Sequence, residues 1–470
     1  MTVLRLLPLV LALGLTVHQA QAAQAQAAQP QAPQVTRESL QTIDLMELFR
    51  ESRLEDPRVL AAYLRSQSAV GKEREAFGTL LPQVSANGNF NRVLRKSDTD
   101  RDIYNNSSYG LSLTQHIYNK AVWEGYQKAK SVTKQKGQQA DDAQAEATVD
   151  LAQRYFVALS ADDELELLMA ERRATQKNLD LVSALYERQF AKKTDVLDLK
   201  ARVDLLAAQE IEARNQVRIS RAALSELVGR PIVEPLSRIR NDIAFQVPGN
   251  SLESWVAQAM DSNPMLKSRE SNVEVANAAV REGKGGHYPT LGFSLSGQQS
   301  DVGYDNTLTN RSDSYVATIN LKVPIYSGGS TSARVRSLYD EQLAVEQELE
   351  AARRQVVKET TNSYLTAFSS VEKVRANKNA LESAKESSNA AEQAFKYGVV
   401  NAVDVLNSVQ TEFKARRDLL KAQYDFITNL FILNRWAGRP PQDSVDSVNV
   451  WLGGTAVAQE PAKPAPTGIR

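Results

Sequence analysis

The same unit occurs twice in this 470-residue chain. Asp56-Pro57 is answered by Asn263-Pro264 and Leu81-Pro82 by Tyr288-Pro289, both at an offset of 207 residues. Ile117-Tyr118 is answered by Ile325-Tyr326 at 208. Asp195-Val196-Leu197 matches Asp404-Val405-Leu406, and Gly229-Arg230-Pro231 matches Gly438-Arg439-Pro440, both at 209. Five landmarks in one order, drifting by two residues, mark a duplication of roughly 200 residues. The first repeat is placed at 40–231 and the second at 251–440, with 232–250 as a connector and 441–470 as a Pro/Ala-rich tail without pattern.

Each unit reads as helix, strand pair, very long helix, shorter helix. No proline falls between Pro82 and Pro231, or between Pro324 and Pro440. An interior proline costs a helix about 3 kcal/mol, so both intervals suit long helical hairpins, over about 121–229 and 331–438. A further single helix is expected at the head of each unit, near 40–77 and 252–281.

Four segments alternate with period two, at about 82–94, 106–119, 289–299 and 313–327. One face carries Val84, Phe90, Leu111, Leu113, Ile117, Phe293, Leu295, Ile319 and Leu321; the other carries Ser, Thr, Asn and Gln, with His116 and Lys322. Each segment approaches the length a tilted barrel strand needs to cross the hydrocarbon. A soluble sheet would rest one face on a core; here the second face is small and amide- or hydroxyl-bearing, which suits a lumen. The joining segments near Asp98–Asn106 and Asp301–Asp313 are polar and read as external loops. Pro82, Tyr118, Pro289 and Tyr326 are assigned to the junction of barrel and helices, the tyrosines suiting an interfacial girdle. Four strands cannot close alone, because unpaired backbone groups in lipid cost several kcal/mol each. At least two copies must therefore share one barrel, and strand number leaves dimer, trimer and tetramer open.

The amino terminus reads as a secretory signal peptide over residues 1–25: Arg5, an apolar run from Leu6 to Leu15, then Ala20-Gln21-Ala22. The run is shorter than the ~20 residues of a spanning helix. The chain has no cysteine, which removes thiolate metal sites, thiol nucleophiles and disulfides. With 56 basic and 56 acidic residues there is no net field to attract nucleic acid. Three histidines, none in a His-x-x-x-His pair, offer neither a zinc site nor a triad. No catalytic, cofactor or metal site is expected. The many Glu and Asp of the helices read as solvated faces and i,i+4 partners of Lys and Arg.

The ordered set of both repeats, Asn263-Pro264, Val323-Pro-Ile-Tyr-Ser-Gly-Gly329, and Tyr397-Gly398 followed by Val403-Asp404-Val405-Leu406 resembles the TolC-type outer-membrane efflux and type I secretion channels, from about residue 40 to 440. The resemblance implies a mainly α homotrimer in the outer membrane, with a twelve-stranded β-barrel on an α-helical periplasmic tunnel. It implies a periplasmic adaptor, an inner-membrane ABC or proton-driven pump and outer-membrane lipid as partners. By the same resemblance Asp404 belongs to an acidic ring at the entrance, with Asp195, Asp198 and Thr194 nearby. Asp near a helix N-terminus is itself favourable by ~0.3–1 kcal/mol, so helix capping is the competing explanation. Asn407 stands where many members carry a second acid, and Phe395 and Val400 where some carry a Tyr and an Arg that hold the gate shut. The rival reading is a periplasmic coiled-coil adaptor or scaffold, which shares the export signal and hairpins but carries one hairpin between lipoyl-like domains.

Overall fold

The computed structural model describes residues 42–96, 101–240, 243–246, 249, 251–303 and 310–452. The expected signal peptide lies outside them. The first half runs α1 (Leu45–Glu55), α2 (Pro57–Gly78), β1 (Gln83–Lys96), β2 (Arg101–Asn119), α3 (Lys120–Glu187) and α4 (Lys193–Val228). The second runs α5 (Leu252–Ser262), α6 (Pro264–Lys284), β3 (Thr290–Gly303), β4 (Asn310–Lys322), α7 (Ser330–Lys396) and α8 (Ala402–Trp436), followed by α9 (Pro441–Asn449). Element order is the same in both halves.

The single leading helix expected in each unit is two helices, α1–α2 and α5–α6. Proline clashes with a helical conformation in the residue before it. Asp56 and Asn263 accordingly sit extended, ending one helix and capping the next: Asp56 accepts from the Arg58 amide at 2.8 Å, Asn263 from the Leu266 amide at 3.0 Å.

α3 has 68 residues and α7 67, each about 100 Å long at 1.5 Å per residue. Along α3 the buried positions Ala145, Val149, Ala152, Tyr155, Phe156, Leu159 and Asp163 recur every three or four residues, which keeps one stripe against its neighbours. α4 folds back on α3 and α8 on α7, while α3 and α8 join the two hairpins. The largest core lies midway along the hairpins, where Tyr155 and Phe156 of α3 meet Tyr424, Phe426 and Phe431 of α8. The connector adds Ile232 and Leu236.

The segment after Pro440 is not patternless throughout. Pro441 starts α9 at the position where a missing amide hydrogen costs nothing, and Val445, Val448 and Leu452 are buried in the same core. Its spacing was hidden by shortness and polar neighbours.

The four strands form one antiparallel sheet in the order β1-β2-β3-β4. The strands overrun the segments read as external loops: β2 starts at Arg101 and β3 continues to Gly303. Asn, Ser and Asp read as loop formers, but ladder bonds to adjacent strands override that weak preference. β4 is displaced the other way, ending at Lys322 because Pro324 has no amide hydrogen to donate. No helix among the described residues is long and apolar enough to cross a membrane.

Candidate channel wall and entrance

Register fixes what each sheet face carries. Ala86 pairs with Leu111, Leu111 with Gly297, and Gly297 with Tyr315; Val84, Leu113, Leu295 and Ala317 form the next row. The apolar residues of all four strands therefore share one face. Val84, Phe90, Leu111, Tyr315 and Ile319 are 63–84% exposed, an apolar surface with no protein against it in the single chain. The opposite face is a ladder of small polar groups, with Ser85 and Ser112 hydroxyls 2.7 Å apart. Among the described residues, the outer edges of β1 and β4 have no partner strand.

At the inner end Pro82 and Pro289 stand immediately before β1 and β3, where a strand tolerates proline. A bulge between His116 and Tyr118 shifts the register, so Tyr118, opposite Leu291, joins the apolar face in place of Ile117. Tyr118 and Tyr288 are half exposed, at 44% and 47%. Tyr326 lies beyond the end of β4 rather than in it, and is almost wholly exposed. The start of α3 is held to α6 by Glu124. This buried carboxylate accepts from Lys120 at 2.5 Å and Arg281 at 2.9 Å. Burial opposes its ionisation, but these two bonds outweigh that and hold its carboxyl below the usual range. Gly285 packs so closely there that a Cβ would fall 2.6 Å from the Ala121 backbone.

At the far end both hairpins turn in the same way. The amide of Phe190 bonds the Leu185 carbonyl at 2.8 Å, and that of Val399 bonds Ala394 at 2.9 Å. Such a C-terminal motif needs a left-handed residue. The second hairpin supplies Gly398 (φ 73°), the first Gln189 (φ 65°). The turns meet through a small apolar cluster in which Val182 and Leu199 pack with Ala402 and Leu406, flanked by Val196 and Phe395. Phe395 is thus part of a hydrophobic contact between hairpins.

The acidic candidates adjoin members of this cluster in sequence, on the first turns of α4 and α8. Asp404 is exposed and closes a capping box: its carboxylate accepts from the Asn401 amide at 3.3 Å, and Asn401 Oδ1 accepts from the Asp404 amide at 2.8 Å. Asp195 is in the first turn of α4, half-buried, and accepts from Thr194 Oγ1 at 3.3 Å; Asp198 is exposed. Phe190, Tyr397 and Val399 project from the turns, 77–82% exposed.

One arrangement was not legible in the sequence. Glu171 of α3 is fully buried, accepting from Arg202 of α4 and, at 3.1 Å, from Arg417 of α8. It clamps the first hairpin to the second. Glu210 is also buried, accepting from Arg172 at 2.6 Å and from Arg214. These two acids are not the solvated groups expected of helix carboxylates, because the facing helix covers them.

Relatives agree with this construction. Outer membrane protein TolC of Vibrio cholerae is 27% identical over 87% of this chain and 94% of its own length. The alkaline protease secretion protein AprF of Pseudomonas aeruginosa is 28% identical over 86% of each chain. The Campylobacter jejuni CmeC outer membrane channel superposes with a TM-score of 0.75 at 15% identity, covering 87% of this chain and 89% of its own. The open-state MtrE outer membrane channel of Neisseria gonorrhoeae gives 0.72 at 18% identity, covering 84% and 89%. The model of the outer membrane efflux protein family matches residues 48–230 and 255–439, one match in each repeat, and the chain belongs to that family.

Proposed function

We propose that this protein is the outer-membrane exit duct of an efflux or type I secretion system, three copies closing one twelve-stranded barrel above a helical periplasmic tunnel. The observation that carries the reading is the sheet: one apolar face, one polar face with few charges, and two unpaired edges. In lipid such edges are satisfied only by pairing β4 of one copy with β1 of the next. The relatives named for TolC and for protease secretion support export as the activity. A periplasmic adaptor and an inner-membrane pump deliver the cargo to the entrance, where the turns at Gln189 and Gly398 carry Thr194, Asp195, Asp198 and Asp404. No reaction chemistry is assigned to the chain.

The native sequence has no cysteine, so a pair introduced at Ser85 on β1 and Thr318 on β4 reports on neighbouring copies alone. Oxidation in outer membranes should give a cross-linked series that stops at three. A monomer that stays in the soluble periplasmic fraction would reject the barrel, and a series stopping at two or four would reject the trimer.

A further inference from the structure

The polar face of the sheet carries an opposed pair of charges, Arg95 opposite Asp102, at its outer end, and inward of these it is almost free of charge, with one localised exception. Over Gln83–Asn91, Asn106–His116, Gly292–Ser300 and Ser312–Lys322 the residues on this face are Ser, Thr, Asn, Gln, Gly, one Val, His116 and Lys322. Lys322 closes β4 opposite Thr290, at the inner end of the sheet, one row below Asn320, Gly292 and His116. Its side chain is exposed and has no hydrogen-bond or ion-pair partner among the described residues. A lysine that only anchored the barrel to the lipid surface would stand on the apolar face, with Leu321. The alternation places it on the other one.

We propose that Lys322 is a selectivity residue: in the assembled duct its ammonium groups form a cationic collar at the inner end of the barrel lumen, favouring small anions and anionic groups on the cargo. The inference rests on the pore reading above. The electrostatic reason is simple. Fixed charge on a channel wall concentrates counter-ions; the Ser, Thr, Asn and Gln nearest Lys322 on this wall neither add to that field nor cancel it, and the opposite charges of Arg95 and Asp102 offset one another at the far end of the sheet. The collar is therefore read separately from the acidic groups at the entrance. Its reach is one screening length, about 10 Å in 0.1 M salt and about 3 Å in 1 M.

The test is the reversal potential of the purified oligomer in planar bilayers under a KCl gradient. Lys322→Glu should raise the potassium-to-chloride permeability ratio by about twofold in 0.1 M salt, Lys322→Gln by less, and both effects should fade at 1 M. Lys96→Gln, on the opposite face at the outer end, should change nothing. Folding is separated from charge by Lys322→Cys: a cationic methanethiosulfonate reagent should restore the wild-type ratio and an anionic one reproduce Lys322→Glu, within the same inserted channels. Conducting channels whose ratio is the same in all these forms would overturn the inference alone. A wild-type oligomer that does not conduct would overturn the pore reading, and the collar with it.

Discussion

The carboxylate of Asp404 closes a capping box with Asn401, a local arrangement that stabilises the start of α8 whether or not anything passes nearby. Its charge is nonetheless exposed at the end of the hairpin, and two substitutions separate the roles. Asn401→Ala removes a cap at a cost of about 1 kcal/mol and leaves the charge. Asp404→Asn removes the charge and retains a side-chain acceptor. If the acid acts on passing ions, Asp404→Asn lowers cation preference or divalent-ion block in bilayers and Asn401→Ala does not. Equal behaviour of the two would leave capping as its whole role. Gln189 illustrates the opposite case. It occupies the left-handed position that its counterpart fills with Gly398, and nothing in a glutamine announces that conformation.

At the scale of elements, the repeat landmarks turn out to be structural hinges. Asp56 and Asn263 cap α2 and α6, Pro82 and Pro289 precede β1 and β3, and Gly229 and Gly438 end α4 and α8 in left-handed form. The two halves solve the first of these differently. Asp56 is buried and ionised: burial opposes its charge, but bonds from Arg58 outweigh that and hold its carboxyl below the usual range. A depressed carboxyl contributes stability that is full above its unfolded value, near 4, and is lost as pH falls through the lower folded value. Asn263 has no such dependence. Asp56→Asn should therefore flatten the acid limb of thermal unfolding below about pH 4 while retaining the cap, which a melting series across pH measures. Strand ends were less legible than helix ends. Asn105 and Asn106 have the composition of a loop, and only their partners on β1 and β3 make them strand. α9 was missed for a related reason: nine residues give too few turns for apolar spacing to stand out.

For the whole molecule, the ion cluster at Glu171 links the hairpins. A pattern of charges along one helix cannot show which other helix lies opposite, so this clamp was invisible until α3, α4 and α8 were placed together. Arg417→Met leaves a fully buried carboxylate with Arg202 as its main partner and should cost about 2–3 kcal/mol. Glu171→Gln combined with it should cost less than the two single changes added, as measured by unfolding of the detergent-solubilised oligomer. Simple additivity would mean that the pair is not coupled.

The unpaired margins of β1 and β4 also have a genetic meaning. A protomer alone is an unfinished wall, and exposed strand margins invite association with any other strand. One defective copy is then enough to spoil a ring. If the ring is the proposed trimer, with mutant and normal genes expressed equally and copies mixing at random, only about one ring in eight would contain normal copies alone. Alleles that damage either margin but still fold should consequently behave as dominant, whereas alleles that prevent folding should be recessive.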